Sequence, residues 1–297
     1  MKKKISIIAT FYNEEKCIKE FINRIINSFK KFKNLSYEII FIDDCSSDNS
    51  SSIIKKIIKK NKKIKLKILK KRYGHSPSLQ TGFDFVSKKN YVAVIDCDLQ
   101  DDPELIAENL QDIIKNETIH FVREKREDPI FQKFYTSIAY KVLNFISQGK
   151  IFMETGYFKI LSPYTVSKVK KNKEIDPYWN YLFTKYSTKN KIIYYTKKKR
   201  IHGSSKFTIF TLNPWLSFFS GIYCFKKRFT NIIFSLLIIN LFFIIISYYK
   251  FYNIGLMVIS FLTFFILTLS LVILKILSNY KKNNKRIYCK TKQSFNF

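Results

Sequence analysis

Acid is scarce in this chain: 22 Asp and Glu stand against 53 Lys and Arg, a formal net charge of +31 over 297 residues. Glycine and proline are sparse as well, at 7 and 6, which excludes collagen-like and low-complexity disordered classes. The five cysteines (Cys17, Cys45, Cys97, Cys224 and Cys289) are scattered, odd in number and include no C-x-x-C pair. They supply neither a zinc site nor a disulfide framework, and they point to a reducing compartment. Neither G-x-G-x-x-G nor G-x-x-x-x-G-K-[ST] occurs, so the dinucleotide and P-loop fingerprints are missing. Helix-turn-helix, zinc-finger and RNA-recognition motifs are missing too. The basic excess is therefore read as drift towards Lys together with an anionic membrane surface, and nucleic acid is not expected as a partner. Met1-Lys2-Lys3-Lys4 is basic, but the apolar run after it is broken by Ser6 and Thr10 and closed by Asn13-Glu14-Glu15. That is the pattern of a first strand, not of a signal peptide.

What the chain does have is apolar bulk, 46% hydrophobic and 17% aromatic. Residues 229–249 and 254–274 are almost wholly apolar, and each has the roughly 20 residues needed to span a bilayer. Lys250 and Asn253 lie in the short link between them, so the pair reads as a helical hairpin. Two buried core helices are the alternative, but soluble helices of this size rarely lack a polar face. Lys226, Lys227 and Arg228 precede the first span; Lys275, Lys281, Lys282, Lys285 and Arg286 follow the second. The positive-inside rule then places both flanks and the N-terminal domain in the cytoplasm. Residues 208–225 carry Trp215, Tyr223 and several Phe directly before the first span, a composition suited to the membrane interface. The expected division is an N-terminal domain over 1–206, an interfacial segment over 207–228, two spans over 229–278 and a poorly ordered basic tail over 279–297.

Through residue 130 the pattern alternates. Strands are expected over 5–10, 37–42, 64–69 and 91–95, and helices over 14–32, 50–60, 76–86 and 104–114. Asn13 and Asp102 are the candidate caps of the first and last of these helices, with Pro103 at a first helical position. This rhythm implies an α/β fold with a mostly parallel, doubly wound sheet. Residues 131–147 form a helix whose aromatic face suits either the sheet or a membrane surface.

Tyr91-Val92-Ala93-Val94-Ile95 runs straight into Asp96-Cys97-Asp98. Two carboxylates with one residue between them therefore sit at the C-terminal end of a strand, the edge where open α/β sheets bind ligands. Hard oxygen donors there suit Mg²⁺ or Mn²⁺ beside a diphosphate. Two solvated loop acids are the bland reading of the same residues.

The motifs in order resemble the polyprenyl-phosphate glycosyltransferases, the dolichol-phosphate-mannose-synthase-like branch of glycosyltransferase family 2. Phe11-Tyr12-Asn13-Glu14-Glu15 resembles P-x-[FY]-N-E-E, with Thr10 for Pro. Phe41-Ile42-Asp43-Asp44-Cys45-Ser46-Ser47-Asp48 resembles V-D-D-G-S-x-D, with Cys45 for Gly. Tyr73-Gly74-His75 through Gly82 is similar to F-G-K…A-x-x-x-G, and Asp96-Cys97-Asp98-Leu99-Gln100 to D-A-D-L-Q. Arg123 and Arg126 match V-R-x-x-R, and residues 200–207 match R-x-x-G-x-S-K-[FY].

The resemblance implies a GT-A fold and an inverting transfer from a UDP- or GDP-sugar to polyprenyl (undecaprenyl) phosphate, with self-association common among members. It implies Mg²⁺ or Mn²⁺ on Asp96 and Asp98, and catalytic roles for Asp98 and Gln100. Tyr12, Asn13, Glu14, Asp43, Asp44 and Asp96 fall to the nucleotide sugar, and Arg123, Arg126, Arg200 and Lys206 to the lipid phosphate. Guanidinium forks suit phosphate oxygens, although in so basic a chain each also fits a solvated face. Thr155-Gly156-Tyr157-Phe158-Lys159 departs from the family's G-D-F-R: Tyr157 stands for the acid and Lys159 for the Arg. Two other readings stay open. A processive polysaccharide synthase lacks its Q-x-x-R-W here, and a degenerate membrane scaffold would explain Tyr157, Lys159, Cys45 and Arg72.

Overall fold

Period-two alternation along the first strand decides the layers. The computed structural model describes residues 3–114, 117–126, 130–172, 177–200, 212–246, 254–283 and 291–296. In β1 (Lys3–Phe11), Ile5, Ile7, Ala9 and Phe11 point to one face and Ile8 to the other. The first face is covered by α1 (Glu15–Lys30), α2 (Ser50–Ile58) and α4 (Glu104–Gln111), through Phe21, Ile54 and Ile106 among others. The second is covered by α3 (His75–Phe85), α6 (Pro163–Lys171) and α7 (Trp179–Tyr186), where Phe83, Trp179 and Phe183 pack together. The approach of α3 to β1 is close: a Cβ on Gly82 would run into the Ile8 side chain.

The remaining strands are β2 (Leu35–Asp43), β3 (Ile64–Leu69), β4 (Tyr91–Asp96), β5 (Glu117–Arg126), β6 (Thr155–Leu161), β7 (Lys189–Lys197) and β8 (Thr291–Phe295). Their order is β7-β5-β6-β4-β1-β2-β3-β8. The β4-β1-β2-β3 block is parallel, as is the β5–β7 pair. β6 runs antiparallel to both neighbours and joins the two parts. The mostly parallel α/β expectation holds, with a mixed wing beyond β4.

Three local expectations are corrected and one is narrowed. The tail contributes a strand: β8 pairs antiparallel with β3, and Phe295 packs against the core. The sheet edge at β3 recruits it, because unpaired N–H and C=O groups template a further strand. The helix over 131–147 is α5 (Ile130–Ser147). It packs Leu143 and Ile146 against Ile222 of α8 (Leu212–Tyr223) and Leu274, while Ile130, Phe134, Ile138 and Phe145 face outwards. Asn13 does not cap α1; Glu14 holds that position, and Asn13 turns through φ 55° to reach Ser47. Asp102 does not cap α4: Pro103 holds that position, and Asp102 pairs with Arg24 and Lys198.

α9 (Lys226–Ile246) and α10 (Ile254–Asn283) are long and apolar enough to cross a membrane. Their apolar side chains stay largely exposed, which a soluble core helix would not tolerate. Asn240 Nδ2 donates to Thr263 Oγ1 at 2.5 Å across the pair. The four cysteines among the described residues are free.

Candidate active site

Register places three loops at one edge. Thr10 pairs with Asp96 and Phe11 with Asp43, so β1, β2 and β4 end level. Each chain then turns through a left-handed residue: Asn13 at φ 55°, Cys45 at φ 66° and Leu99 at φ 60°. Such a conformation costs a non-glycine residue about 1–2 kcal/mol, and it aims the following side chains across the edge.

The first two loops are laced together. The Asn13 amide N–H donates to Ser46 Oγ at 3.0 Å, and Asn13 Oδ1 accepts from the Ser47 amide at 2.9 Å. The Glu14 amide donates to Ser50 Oγ at 2.9 Å, and Glu15 exchanges bonds with Asp48 and Asn49. Asp43 accepts from the Ser46 amide at 2.7 Å and from the Ser51 hydroxyl. Asp44 is buried and accepts from the amides of Tyr73 and Gly74 at 2.7 and 2.9 Å. Burial raises its pKa despite those donors. Both carboxylates thus brace loops. Over them, the Arg72 guanidinium lies 4.1 Å from the Tyr12 ring centre.

The third loop carries the paired acids. The Asp96 side chain is 40% exposed, whereas that of Asp98 is 10% exposed, beneath Arg200. Arg200 Nη2 donates to Asp98 Oδ2 at 2.6 Å and lies 3.5 Å from Glu14 Oε1. Burial works against the Arg200 charge, but Asp98, Glu14 and Asp96 outweigh it and raise its pKa. Partial desolvation raises the Asp96 carboxyl, but His75, Arg123 and Lys197 outweigh it and hold it below the ordinary value. Gln100 ties this loop to the strand end after β7: its carbonyl accepts from the Lys198 amide at 2.9 Å, and its Nε2 donates to Lys198 O at 3.2 Å. Lys198 Nζ reaches Asp102 at 2.6 Å.

The acids fit a hard cation held jointly with a ligand. No group of three His, Cys, Asp or Glu side chains suited to a metal occurs among the described residues, so a cation here would take at most the Asp96 and Asp98 pair from the protein. Mg²⁺ and similar ions bind through one or two carboxylates plus phosphate oxygens and water. A cationic guanidinium already rests on Asp98.

Beside these acids lies a buried polar cluster from β5, β6 and β7. The Tyr195 hydroxyl donates to buried Asp101, and Arg123 Nε donates to Tyr195 Oη at 3.4 Å. The Arg123 guanidinium lies over Gly156, where a Cβ would collide with it. Lys159 is fully buried and donates to Gly156 O at 2.7 Å and Asn180 Oδ1 at 3.0 Å. Burial and the neighbouring Arg123 push its pKa down to about 7. His75 stacks on Tyr157, and its Nε2 lies 3.3 Å from Asp96 Oδ1. An open cavity of about 440 Å³ adjoins Arg123, lined by Val122, Phe152, Met153, Ile192 and Tyr194 among others.

Tyr12, Asn13, Glu14, Asp43, Asp44, Asp96, Asp98, Gln100 and Arg200 thus share one sheet edge. Arg123 bonds to Tyr195 and borders the open cavity. The Arg126 side chain and Lys206 lie outside the described residues. His75, Asp101, Tyr195 and Lys198 were not singled out as site residues from the sequence. His75 stands inside a quoted motif and could have been. Tyr195 and Lys198 carry no local signal, because their partners are 94 and 96 residues away.

Residues 6–170 match the family model described as "Glycosyl transferase family 2". The chain is 29% identical over 206 residues to "Uncharacterized glycosyltransferase YkcC" of Bacillus subtilis, a match covering 69% of this chain and 63% of that one. It is 27% identical over 206 residues to the "Prophage bactoprenol glucosyl transferase homolog" of Escherichia coli, covering 69% and 67%. Among solved structures, glucosyl-3-phosphoglycerate synthase from Mycobacterium tuberculosis, in complex with Mn²⁺, UDP and glucosyl-3-phosphoglycerate, superposes with a TM-score of 0.50. That match is at 14% identity and covers 76% of this chain and 80% of that one; at this identity it speaks for the GT-A fold alone.

Proposed function

The chain belongs to glycosyl transferase family 2, and from that premise we propose that it transfers a sugar from a UDP- or GDP-sugar to a polyprenyl phosphate, inverting the anomeric centre, at the cytoplasmic face of a membrane. The observation that carries this reading is the coincidence of paired acids and Arg200 at one sheet edge, twelve residues ahead in sequence of α8, which leads into the apolar helix pair. Similarity to a relative named a bactoprenol glucosyl transferase homolog supports the acceptor class.

In this mechanism Tyr12, Asn13 and Glu14 face the nucleotide, and Asp43 and Asp44 hold the loops that receive it. Asp96 and Asp98 would hold Mg²⁺ or Mn²⁺, which when bound offsets the charge of the leaving diphosphate. Gln100 fixes the paired-acid loop against Lys198. Arg200 and Lys206, with Arg123 and Arg126, form the cationic side that takes the lipid phosphate. That phosphate is its own nucleophile: with a second pKa around 6, it is largely dianionic near neutral pH and needs no general base. Tyr157 in place of an acid accords with such a reaction, in which positioning and electrostatics supply the rate.

The membrane arrangement is part of the proposal: residues 1–206 form the catalytic domain, 207–228 an interfacial segment, 229–278 two spans and 279–297 a cytoplasmic tail. Lys226, Lys227, Arg228 and Lys275 flank the apolar stretches, as the positive-inside rule requires of cytoplasmic ends. The pairing of β8 with β3 supports the same topology, since it returns the chain after the hairpin to the catalytic sheet. The outward apolar face of α5 suits the headgroup layer.

The test is incubation of membranes bearing the full chain with undecaprenyl phosphate and a panel of UDP- and GDP-sugars, followed by mass analysis of the lipid. One sugar added per lipid is the expected product. A repeating polymer, or unchanged lipid with every donor, overturns the proposal.

A further inference from the structure

The segment that follows β7 is fastened to the paired-acid loop by hydrogen bonds between Gln100 and the Lys198 backbone and by two side-chain ion pairs. The Lys198 amide donates to Gln100 O at 2.9 Å, Lys198 Nζ pairs with Asp102 at 2.6 Å, and Arg200 Nη2 pairs with Asp98 Oδ2 at 2.6 Å. The third contact differs from the others in what it occupies. Asp98 is one of the two carboxylates read under the proposed function as the cation's holders, and its side chain is nearly closed to solvent beneath the guanidinium. One carboxylate oxygen cannot donate its charge to both partners at full strength. Among the described cations that precede α8, Arg200 is the one nearest to it in sequence, and under the proposed function it meets the lipid phosphate.

We propose that Arg200 is a latch: it holds Asp98 in the unloaded enzyme, leaves when a cation and nucleotide diphosphate take that carboxylate, and only then is free to bind the acceptor phosphate. Donor loading and acceptor capture are thereby coupled through one guanidinium, and by linkage each strengthens the other. The ion pair with Glu14 at 3.5 Å gives the departing guanidinium an alternative anchor on the nucleotide side of the edge. This inference rests on the reading of Asp96 and Asp98 as a metal site under the proposed function, and the experiment separates the two.

Mn²⁺ binding to the detergent-solubilised full chain is measured from the electron paramagnetic resonance signal of the free ion, with and without UDP or GDP. Wild type, Arg200→Gln and Lys198→Ala are compared after thermal melts establish that each is folded. Without nucleotide, Arg200→Gln should bind Mn²⁺ about tenfold more tightly than wild type, the change expected when a competing charge-assisted bond is removed. Lys198→Ala removes a nearby cation that pairs with Asp102 and not with Asp98, so any gain in Mn²⁺ affinity should fall well short of that of Arg200→Gln. In a second titration, a short-chain polyprenyl phosphate should bind wild type about tenfold more tightly once Mn²⁺ and nucleotide are present, and this gain should vanish in Arg200→Gln. Equal or weaker Mn²⁺ binding by Arg200→Gln overturns the latch, as does an equal gain from Lys198→Ala or an acceptor affinity in wild type indifferent to loading. Absence of Mn²⁺ binding in every form, with either nucleotide, overturns the metal reading itself and the latch with it.

Discussion

The imidazole of His75 stacks on the phenol ring of Tyr157, with centroids 4.4 Å apart and planes inclined by 28°. His75 Nε2 lies 3.3 Å from Asp96 Oδ1 without hydrogen-bond alignment. The pair therefore forms a wall beside the more exposed of the two acids, at the position where the resembling family carries a carboxylate. An aromatic pair of this kind is worth about 0.5–1.5 kcal/mol beyond its area. Tyr157→Phe should keep the stack and retain activity, whereas Tyr157→Ala should release His75 and lower turnover by up to about tenfold. Steady-state kinetics on the two variants check this, and equal loss in both would assign the effect to the hydroxyl instead.

Asp98→Asn should abolish transfer while leaving the protein folded. The substitution preserves shape but removes the charge that faces Arg200 and, in the proposed reaction, the cation. Loss of such electrostatic stabilisation costs about a hundredfold or more in rate. Asp96→Asn should cost less, since Asp96 is more open to water and keeps His75 as a neighbour. Turnover measured over a Mn²⁺ series decides the matter: full activity of Asp98→Asn at high Mn²⁺ would remove Asp98 from the metal site.

Lys159 should give stability a pH dependence of definite sign. Burial and Arg123 lower its pKa to about 7 in the folded state, while an unfolded Lys titrates near 10.4. Between those values the unfolded chain holds more protons, so stability rises with pH across that window. Below about pH 7 the lysine is charged in both states, and the cost of burying it is fully present. Lys159→Met carries no such cost, though it leaves Gly156 O and Asn180 Oδ1 without this donor. The difference in Tm, wild type minus variant, should grow from pH 7 to pH 10 and stay level from pH 6 to pH 7. Parallel Tm profiles across the whole range would show that Lys159 does not titrate there.

The sheet was legible where its strands are buried on both faces. Residues 91–95 read as an unbroken apolar run and 37–42 as one interrupted only by Glu38, and each lies inside an observed strand. Beyond β4 the signal fades for a physical reason. β5 and β6 bury Thr118, His120, Thr155 and Lys159, so polar side chains stand where a hydrophobic period would mark a strand. β7 is exposed along much of its length, and β8 reads Thr-Lys-Gln-Ser-Phe, a strand made by the edge it joins. The paired acids were visible because both lie in one loop. Their pairing with Arg200 was not, since 102 residues separate Arg200 from Asp98 and only the ordering of β7 brings them together.

Removing residues 291–297 should destabilise the catalytic domain and make it associate. The deletion strips Phe295 from the core, breaks the 2.9 Å bond from Lys55 Nζ to Gln293 and the contact of Lys67 with Ser294, and bares the edge of β3. An unpaired edge templates pairing with another chain, and a partly buried Phe is worth about 1–3 kcal/mol. A lower Tm and a shift to larger species in size-exclusion chromatography are expected. An unchanged elution profile and Tm would mean that β8 adds nothing to the sheet's stability.

Cys45→Gly should be neutral or stabilising, against the usual cost of introducing glycine. Cys45 sits at φ 66° directly after the buried Asp43-Asp44 pair, with its Sγ 3.9 Å from Lys70 O. A non-glycine residue held there bears about 1–2 kcal/mol of steric strain, while glycine adds about 0.5–1 kcal/mol of chain entropy on unfolding. The balance favours glycine by up to about 1 kcal/mol, and the resembling family carries Gly at this position. Cys45→Ala keeps the Cβ and the strain, so it should gain nothing. The pair of substitutions separates backbone strain from loss of the thiol. Chemical denaturation of both variants measures it, and a Cys45→Gly variant less stable than Cys45→Ala would show that this turn does not store strain.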